Sequence, residues 1–334
     1  MLTKTAVTDD QVVALLAPLG EVRRVAPLSG GLFACVLRAD LDDGRTVVVK
    51  VTGADTSRLL RYEHGVLGTE AEADRLAHAA GLPVPRVLHV DTTRDHVDGD
   101  ALVTTFLDGD LWRKLESAPG LDDASAARAR RSLGALMARL HRITGDRFGY
   151  PAPEASLTAA TWPEAFAGML DAVLDDAARW GVDLPTERLR TAVARHHDLL
   201  ATVTTPRLVH ADLWQGNLLL DPVEHTVVGA IDAERALWGD PVFELVGADQ
   251  LGAGAVDADL LAGYRDAGGD LGVGDGTPGA GDPAAWHRLR LYRAYYACLL
   301  VVEIVPRGYA GDWVPGYERT ARANLLRVLD ELGV

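Results

Sequence analysis

Four side chains in the middle of the chain could do chemistry together. His210, Asp212 and Asn217 follow the apolar pair Leu208-Val209, and Asp232 closes a second apolar run, Val227-Val-Gly-Ala-Ile231. A short buried strand gains nothing for folding from a carboxylate at its tip. An unpaired buried charge costs on the order of several kcal/mol unless a partner or a metal offsets it. Two carboxylates and an amide, each delivered by a strand, make an oxygen-rich donor set suited to a hard cation. Mg²⁺ takes one or two carboxylates and leaves its other positions to water and substrate phosphates.

The spacing Asp212-x-x-x-x-Asn217 is that of a kinase catalytic loop, in which the Asp takes a hydroxyl proton and the Asn holds metal. Such chemistry needs a cation for the phosphates, and the chain is poor in lysine. Of 33 basic residues only Lys4, Lys50 and Lys114 are lysines. Lys50 ends the strand-like run Val47-Val-Val-Lys50-Val51, so it must meet solvent, a carboxylate or a ligand. Glu70, Glu72 and Glu63 are candidates to fix it, and Glu70 is best placed. Ser29-Gly30-Gly31 could bring backbone N–H groups close to phosphates, or be a plain turn. The one G-x-G-x-x-G match, Gly274 to Gly279, has no strand before it, and no G-x-x-x-x-G-K-[ST] or G-x-S-x-G occurs. Rossmann, P-loop and serine-hydrolase readings therefore fail.

The elements that must hold these residues fall into two groups. Thr8 caps a short helix, with Gln11 completing the box. Residues 21–28, 32–41 and 45–51 read as strands joined by short Gly-bearing turns, which implies antiparallel pairing. Thr69-Glu-Ala-Glu72 reads as a capping box opening a helix that ends at Gly81, and 86–91 and 101–107 are two more strands. Beyond Asp108 the pattern turns helical: 123–143, 162–180, 186–203, 241–251, 258–267, 283–305 and 315–332. The expected fold is α+β and bilobal. A small antiparallel-sheet lobe with one long helix (1–108) precedes a larger, mainly helical lobe (109–334).

Taken together, Lys50, Glu70, Pro83-x-Pro85, His210-x-Asp212-x-x-x-x-Asn217, Ile231-Asp232 and Gly239-Asp240-Pro241 resemble the aminoglycoside phosphotransferase and choline kinase-like family. The similarity covers roughly Ala26 to Asp249. It implies the protein-kinase fold, with ATP and Mg²⁺ as cofactors. By that resemblance Asp212 is the catalytic base, Asn217 and Asp232 hold Mg²⁺, and Lys50 holds the α- and β-phosphates. The strand ending at Thr105 and Phe106 would read adenine through its backbone, and Asp240 would brace the catalytic loop. His210 reads as a loop-orienting residue rather than a metal ligand. Three departures stand out: Ala211 where the family often has Gly, Trp214 where it often has His, and Ala233 where an aromatic is usual. Glu234 is either an acceptor contact or a local salt bridge. Tyr292, Tyr296 and Glu303 are further candidates for the acceptor pocket.

A formal net charge of −15 argues against nucleic-acid and anionic-membrane partners. It suits a cationic substrate, and equally a plain solubility surface. No signal-peptide pattern opens the chain, and the longest apolar run, Ala297 to Val305, is interrupted by Glu303, so a cytoplasmic location is expected. Cys35 and Cys298 lie far apart and read as free thiols. The expected activity is ATP-dependent phosphorylation of a hydroxyl on a small polar acceptor, an amino-sugar or nucleoside-type antibiotic. A metabolic kinase for an amino sugar, choline-like compound or fructosamine, and a nucleotide-binding pseudokinase, are the alternatives.

Overall fold

Alternation in Thr46–Gly53 decides which way the amino-terminal sheet faces. Val47, Val49 and Val51 are buried on one side, while Val48 and Lys50 point to the other. A computed structural model describes residues 5–28, 34–115 and 120–334 of the chain. Its first part is helix α1 (Asp9–Leu16), strands β1 (Val22–Pro27), β2 (Cys35–Leu41) and β3 (Thr46–Gly53), helix α2 (Val66–Ala79), and strands β4 (Val87–Asp91) and β5 (Gly99–Thr105). The strands form one antiparallel sheet in the order β1-β2-β3-β5-β4. Val12, Leu15 and Leu16 of α1 join the buried valines of β3 in a small core. The Thr8 capping box starts α1, its hydroxyl accepting from the Gln11 N–H. Leu67 and Ala71 of α2 pack on Leu102, which lies on the same sheet face as Lys50.

After Thr105 the chain is mostly helical. Its core is organised around Pro283–Val302, capped by Asp282 and buried nearly all round. Trp162 and Phe166, from the helix Trp162–Trp180, pack against Tyr292 of that central helix. Short strands deliver the catalytic segment. Arg207–Val209 pairs with Leu237–Gly239, and Leu218–Leu220 pairs with both Val227–Ala230 and Asp110–Leu111.

Two sequence expectations change, and a third is not tested. Helix α2 starts at Val66 behind Gly65, whose φ of 75° favours glycine, so Thr69 is a buried interior residue and not a cap. The helix expected over 186–203 breaks at His196 into Thr186–Arg195 and His197–Ala201. The Gly-rich turn Ser29-Gly30-Gly31 lies outside the described residues.

Candidate active site

Lys50 sits on the central strand of the sheet, so the outward-pointing edge lysine is excluded. Its side chain is 12% exposed, and its ammonium donates to Glu70 Oε2 at 2.6 Å and to Asp232 Oδ1, with Glu234 Oε2 at 3.7 Å. Glu70 reaches it from the buried face of α2. Glu72 points to solvent, and Glu63 is committed to Arg307 at 2.8 Å. One ammonium thus faces three carboxylates. Burial pushes the Glu234 carboxyl up to about 8, with the neighbouring Asp232 charge adding to it, and burial likewise raises Glu70. Asp232 is held below the usual range because the Lys50 charge and hydrogen bond outweigh its desolvation.

The loop between Val209 and Leu218 is closed on itself by Asn217. Its amide nitrogen donates to Asp212 Oδ2 at 2.7 Å and to the Asp212 main-chain carbonyl at 3.0 Å. The other carboxylate oxygen, Oδ1, accepts from Tyr296 Oη at 3.2 Å and from Gln250 Nε2, and the Arg235 guanidinium lies 4.0 Å away. Burial pushes Asp212 up to about 6 against the pull of Arg235. Trp214 packs over Gly216, where an added Cβ would lie 2.2 Å from the ring, so a larger residue there would have to displace the indole.

The brace under the loop is Glu244, not Asp240. Fully buried, the Glu244 carboxylate accepts from the main-chain N–H groups of His210 at 2.8 Å and Ala211 at 2.9 Å. These contacts pin Ala211 at φ 61°, in the left-handed region that glycine adopts without strain. Gly247, one turn beyond, abuts the Ala211 carbonyl carbon, where an added Cβ would lie 2.3 Å away. Asp240 instead accepts from Arg288 Nε and Tyr292 Oη, each at 2.7 Å, and caps its own turn through Val242. It ties the central helix to this region without touching the loop. His210 contributes its backbone; its ring is buried and forms no side-chain hydrogen bond to the loop.

Lys50, Glu70, Asp212, Asn217, Asp232 and Glu234 line one cleft of about 1350 Å³ between the sheet and the helical part, ample for a nucleotide and a small acceptor. On the sheet side Val36, Val48, Leu102 and Thr104 form an apolar wall, continued by Thr105, Phe106 and Leu107. The Thr105 and Phe106 N–H groups already donate to the Arg86 and Thr46 carbonyls. A base edge read by the backbone of Thr105 and Phe106 would therefore meet their carbonyls rather than these N–H groups. Of the expected acceptor residues, Glu234 and Glu303 reach the cleft, but Glu303 is paired with Arg235 at 2.7 Å and Arg307 at 3.5 Å. Tyr292 is a core residue that accepts from Trp162 and donates to Asp240. Tyr296 is buried beneath the loop, bonded to Asp212 and the Ala211 carbonyl. The cleft is also lined by Arg293, Tyr309, Trp313 and Tyr317, with the Trp313 ring tilted against Tyr309 and edge-on to Tyr317.

The profile of the phosphotransferase enzyme family matches residues 24–292, most of the chain and all of the catalytic segment. The chain belongs to this family. A candidate ketoamine kinase of Enterococcus faecium is 29% identical over 108 residues, a match spanning 29% of this chain and 39% of that protein's length. In the solved structure of a candidate fructosamine-3-kinase from Thermobifida fusca, the same fold covers 96% of this phosphotransferase and 100% of that chain, at a TM-score of 0.65 and 22% identity. The streptomycin–ATP ternary complex of APH(2'')-IIa aligns over 98% of this chain and 97% of that one, at a TM-score of 0.56 and 15% identity. The phosphotransferase therefore has the kinase-like fold of these enzymes.

The phosphotransferase offers oxygen ligands where a divalent cation would be needed. Glu70, Asp232 and Glu234 bring carboxylate oxygens within 4.8 Å of one another, and Asn217 has its amide nitrogen committed to Asp212, leaving its oxygen as donor. The raised Glu234 and Glu70 carboxyls show how crowded the acidic groups around Lys50 are, a crowding that a hard cation relieves. Sequence reading missed Glu244, Arg235 and Gln250. Glu244 had a faint signal, an acid one turn beyond the Gly-Asp-Pro turn, whereas Gln250 had none.

Proposed function

We propose that this phosphotransferase moves the γ-phosphate of ATP to a hydroxyl of a small polar molecule. The observation that supports it best is the single cleft joining Asp212 and Asn217 to Lys50, Glu70 and Asp232. In this reading Asp212 accepts the hydroxyl proton, and its carboxylate must trade the Gln250 contact for the acceptor. Lys50, steadied by Glu70, holds the phosphates. Asp232 and Asn217 would hold Mg²⁺, which when bound offsets charge on the transferring phosphoryl group. The fixed geometry contributes through positioning, since little covalent chemistry falls to the protein itself.

The acceptor in this proposal is an amino-sugar or nucleoside-type antibiotic, and the reaction one of resistance or self-protection. Acidic groups at the cleft, including Asp249 and Asp257, suit a cationic molecule. A ketoamine acceptor is the second reading, favoured by the kinship with a candidate ketoamine kinase. The deciding experiment is an ATP-consumption screen with Mg²⁺ against aminoglycosides, nucleoside antibiotics, free amino sugars and fructosamines. Turnover with only the last class selects the second reading. Tight ATP binding with no turnover on any of them refutes both and leaves a nucleotide-binding pseudokinase.

A further inference from the structure

Three side chains donate to the Asp212 carboxylate, and one of them stands where an acceptor must arrive. Asn217 is buried within the catalytic loop itself and holds Oδ2. Tyr296 rises from the buried central helix and divides its hydroxyl between Oδ1 and the Ala211 carbonyl. Gln250 comes from outside both. It lies in the turn after the short helix Glu244–Ala248, half-buried on the wall of the cleft, and its amide nitrogen donates to Oδ1. A carboxylate offers about four lone-pair directions, so these donors leave the base little room for a hydroxyl proton. The backbone around Gln250 is pinned. Asn324 Nδ2 donates to the Leu251 carbonyl at 2.6 Å, Arg293 donates to the Gly254 carbonyl at 2.9 Å, and the Gly252 N–H closes the turn on the Asp249 carbonyl at 3.0 Å. What can turn away from Asp212 is therefore the glutamine side chain, not the segment that carries it.

We propose that Gln250 guards Asp212 against water, a specificity-determining residue that withholds the base until an acceptor displaces its amide. The proposal rests on the phosphotransfer reading. Without the guard, water takes the acceptor's place. Its oxygen supplies the electron pair for a new bond to the γ-phosphorus, and the bond from that phosphorus to the β–γ bridging oxygen breaks. ADP leaves with that electron pair, and the water proton passes to Asp212 and then to solvent. ATP and water thus become ADP and inorganic phosphate. The amide is suited to the task because a hydrogen bond from a neutral donor to a carboxylate is firm yet displaceable. An acceptor of several polar groups makes contacts along the cleft, and that binding energy drives the displacement, whereas a single water has no such contacts to draw on. Glu244 and Gln250 act from one short segment. The first holds the backbone of the loop, and the second covers its reactive oxygen.

The test needs no acceptor. ADP release from ATP and Mg²⁺ in water alone is measured for the full chain, for Gln250→Ala and Gln250→Ser, which are too short to reach Asp212, and for Asp212→Asn combined with Gln250→Ala. Hydrolysis is expected to rise about tenfold in either short variant, with an almost unchanged KM for ATP, and to fall to the wild-type rate or below once Asp212 is also replaced. A merely structural role for Gln250 predicts the opposite sign, since a loosened site loses rate. Unchanged or slower hydrolysis in both short variants, from a protein that phosphorylates an acceptor in the screen above, overturns the guard and leaves the kinase reading standing. A rise that survives the loss of Asp212 overturns it as well. No ADP from any variant and no acceptor in the screen, with ATP still bound, refutes the kinase reading and the guard with it.

Discussion

Replacing Glu244 by glutamine keeps the volume of the side chain and changes what it offers to the loop and to His141 Nε2, 3.4 Å from Oε2. The carboxylate accepts two main-chain hydrogen bonds, from His210 at 2.8 Å and Ala211 at 2.9 Å, with no access to solvent. Glutamine retains one acceptor oxygen and turns an NH₂ group toward the other N–H. A charge-assisted bond is lost and a buried donor is left unpaired, a combined cost of about 3 kcal/mol. With an unfolding entropy of about 2 cal/mol/K per residue, this lowers Tm by roughly 4 °C for a chain of this length. The damage is also local. Ala211 is held at its positive φ by these bonds, so a relaxed loop moves Asp212, and phosphate transfer should fall by about tenfold or more. Calorimetry and ADP release read the two effects separately. Asp240→Asn is the matched control. It disturbs Arg288 and Tyr292 without touching the loop, so it should lower Tm with a much smaller loss of turnover. If Glu244→Gln melts and turns over like wild type, or if Asp240→Asn takes the larger share of activity, Glu244 is not the brace.

Three further outcomes are expected. Asp212→Asn should abolish transfer while ATP binding, followed by calorimetric titration, stays within about threefold, because Asp212 does not contact the Lys50 cluster. Lys50→Ala leaves Glu70, Asp232 and Glu234 facing one another without a cation; ATP binding should weaken, and Mg²⁺ alone should raise Tm more in the variant than in wild type. For Asp74, a folded-state pKa of about 8 against an ordinary value of 3.8 means that the native state binds the extra proton. Its contribution to stability is thus full below about pH 4 and is lost as pH rises toward 8. Thermal melts at pH 5 and pH 8 should show wild type losing stability relative to Asp74→Asn, and parallel melts would refute the assignment.

Patterns with a fixed period were legible in the chain. The run from Val47 to Val51 announces a strand with one face buried, and Thr8 with Gln11 marks a helix start that the structure places at Asp9. Cap signals mislead where another residue has a stronger reason to start the helix: Gly65 turns the chain before Thr69 can. Contacts fixed by tertiary path were harder to read. Tyr292 and Tyr296 lie four residues apart on one helical face, yet one bonds Asp240 and the other Asp212, because that face crosses beneath both turns. Glu244 was hidden for the same reason: what makes it the brace is where the strand Arg207–Val209 ends, which no local spacing records. The departure at Ala211 gained a physical meaning only from its φ, which shows why glycine is common at such a position in the family.

The enclosure of Lys50 has a practical side. Lys4 lies outside the described residues, and Lys114 is exposed at the cleft. An amine-directed nucleotide analogue would therefore meet few competing targets on this chain. Digestion and mass spectrometry could then report directly whether ATP seats its phosphates against the central strand, in the unmodified protein and before any acceptor has been found.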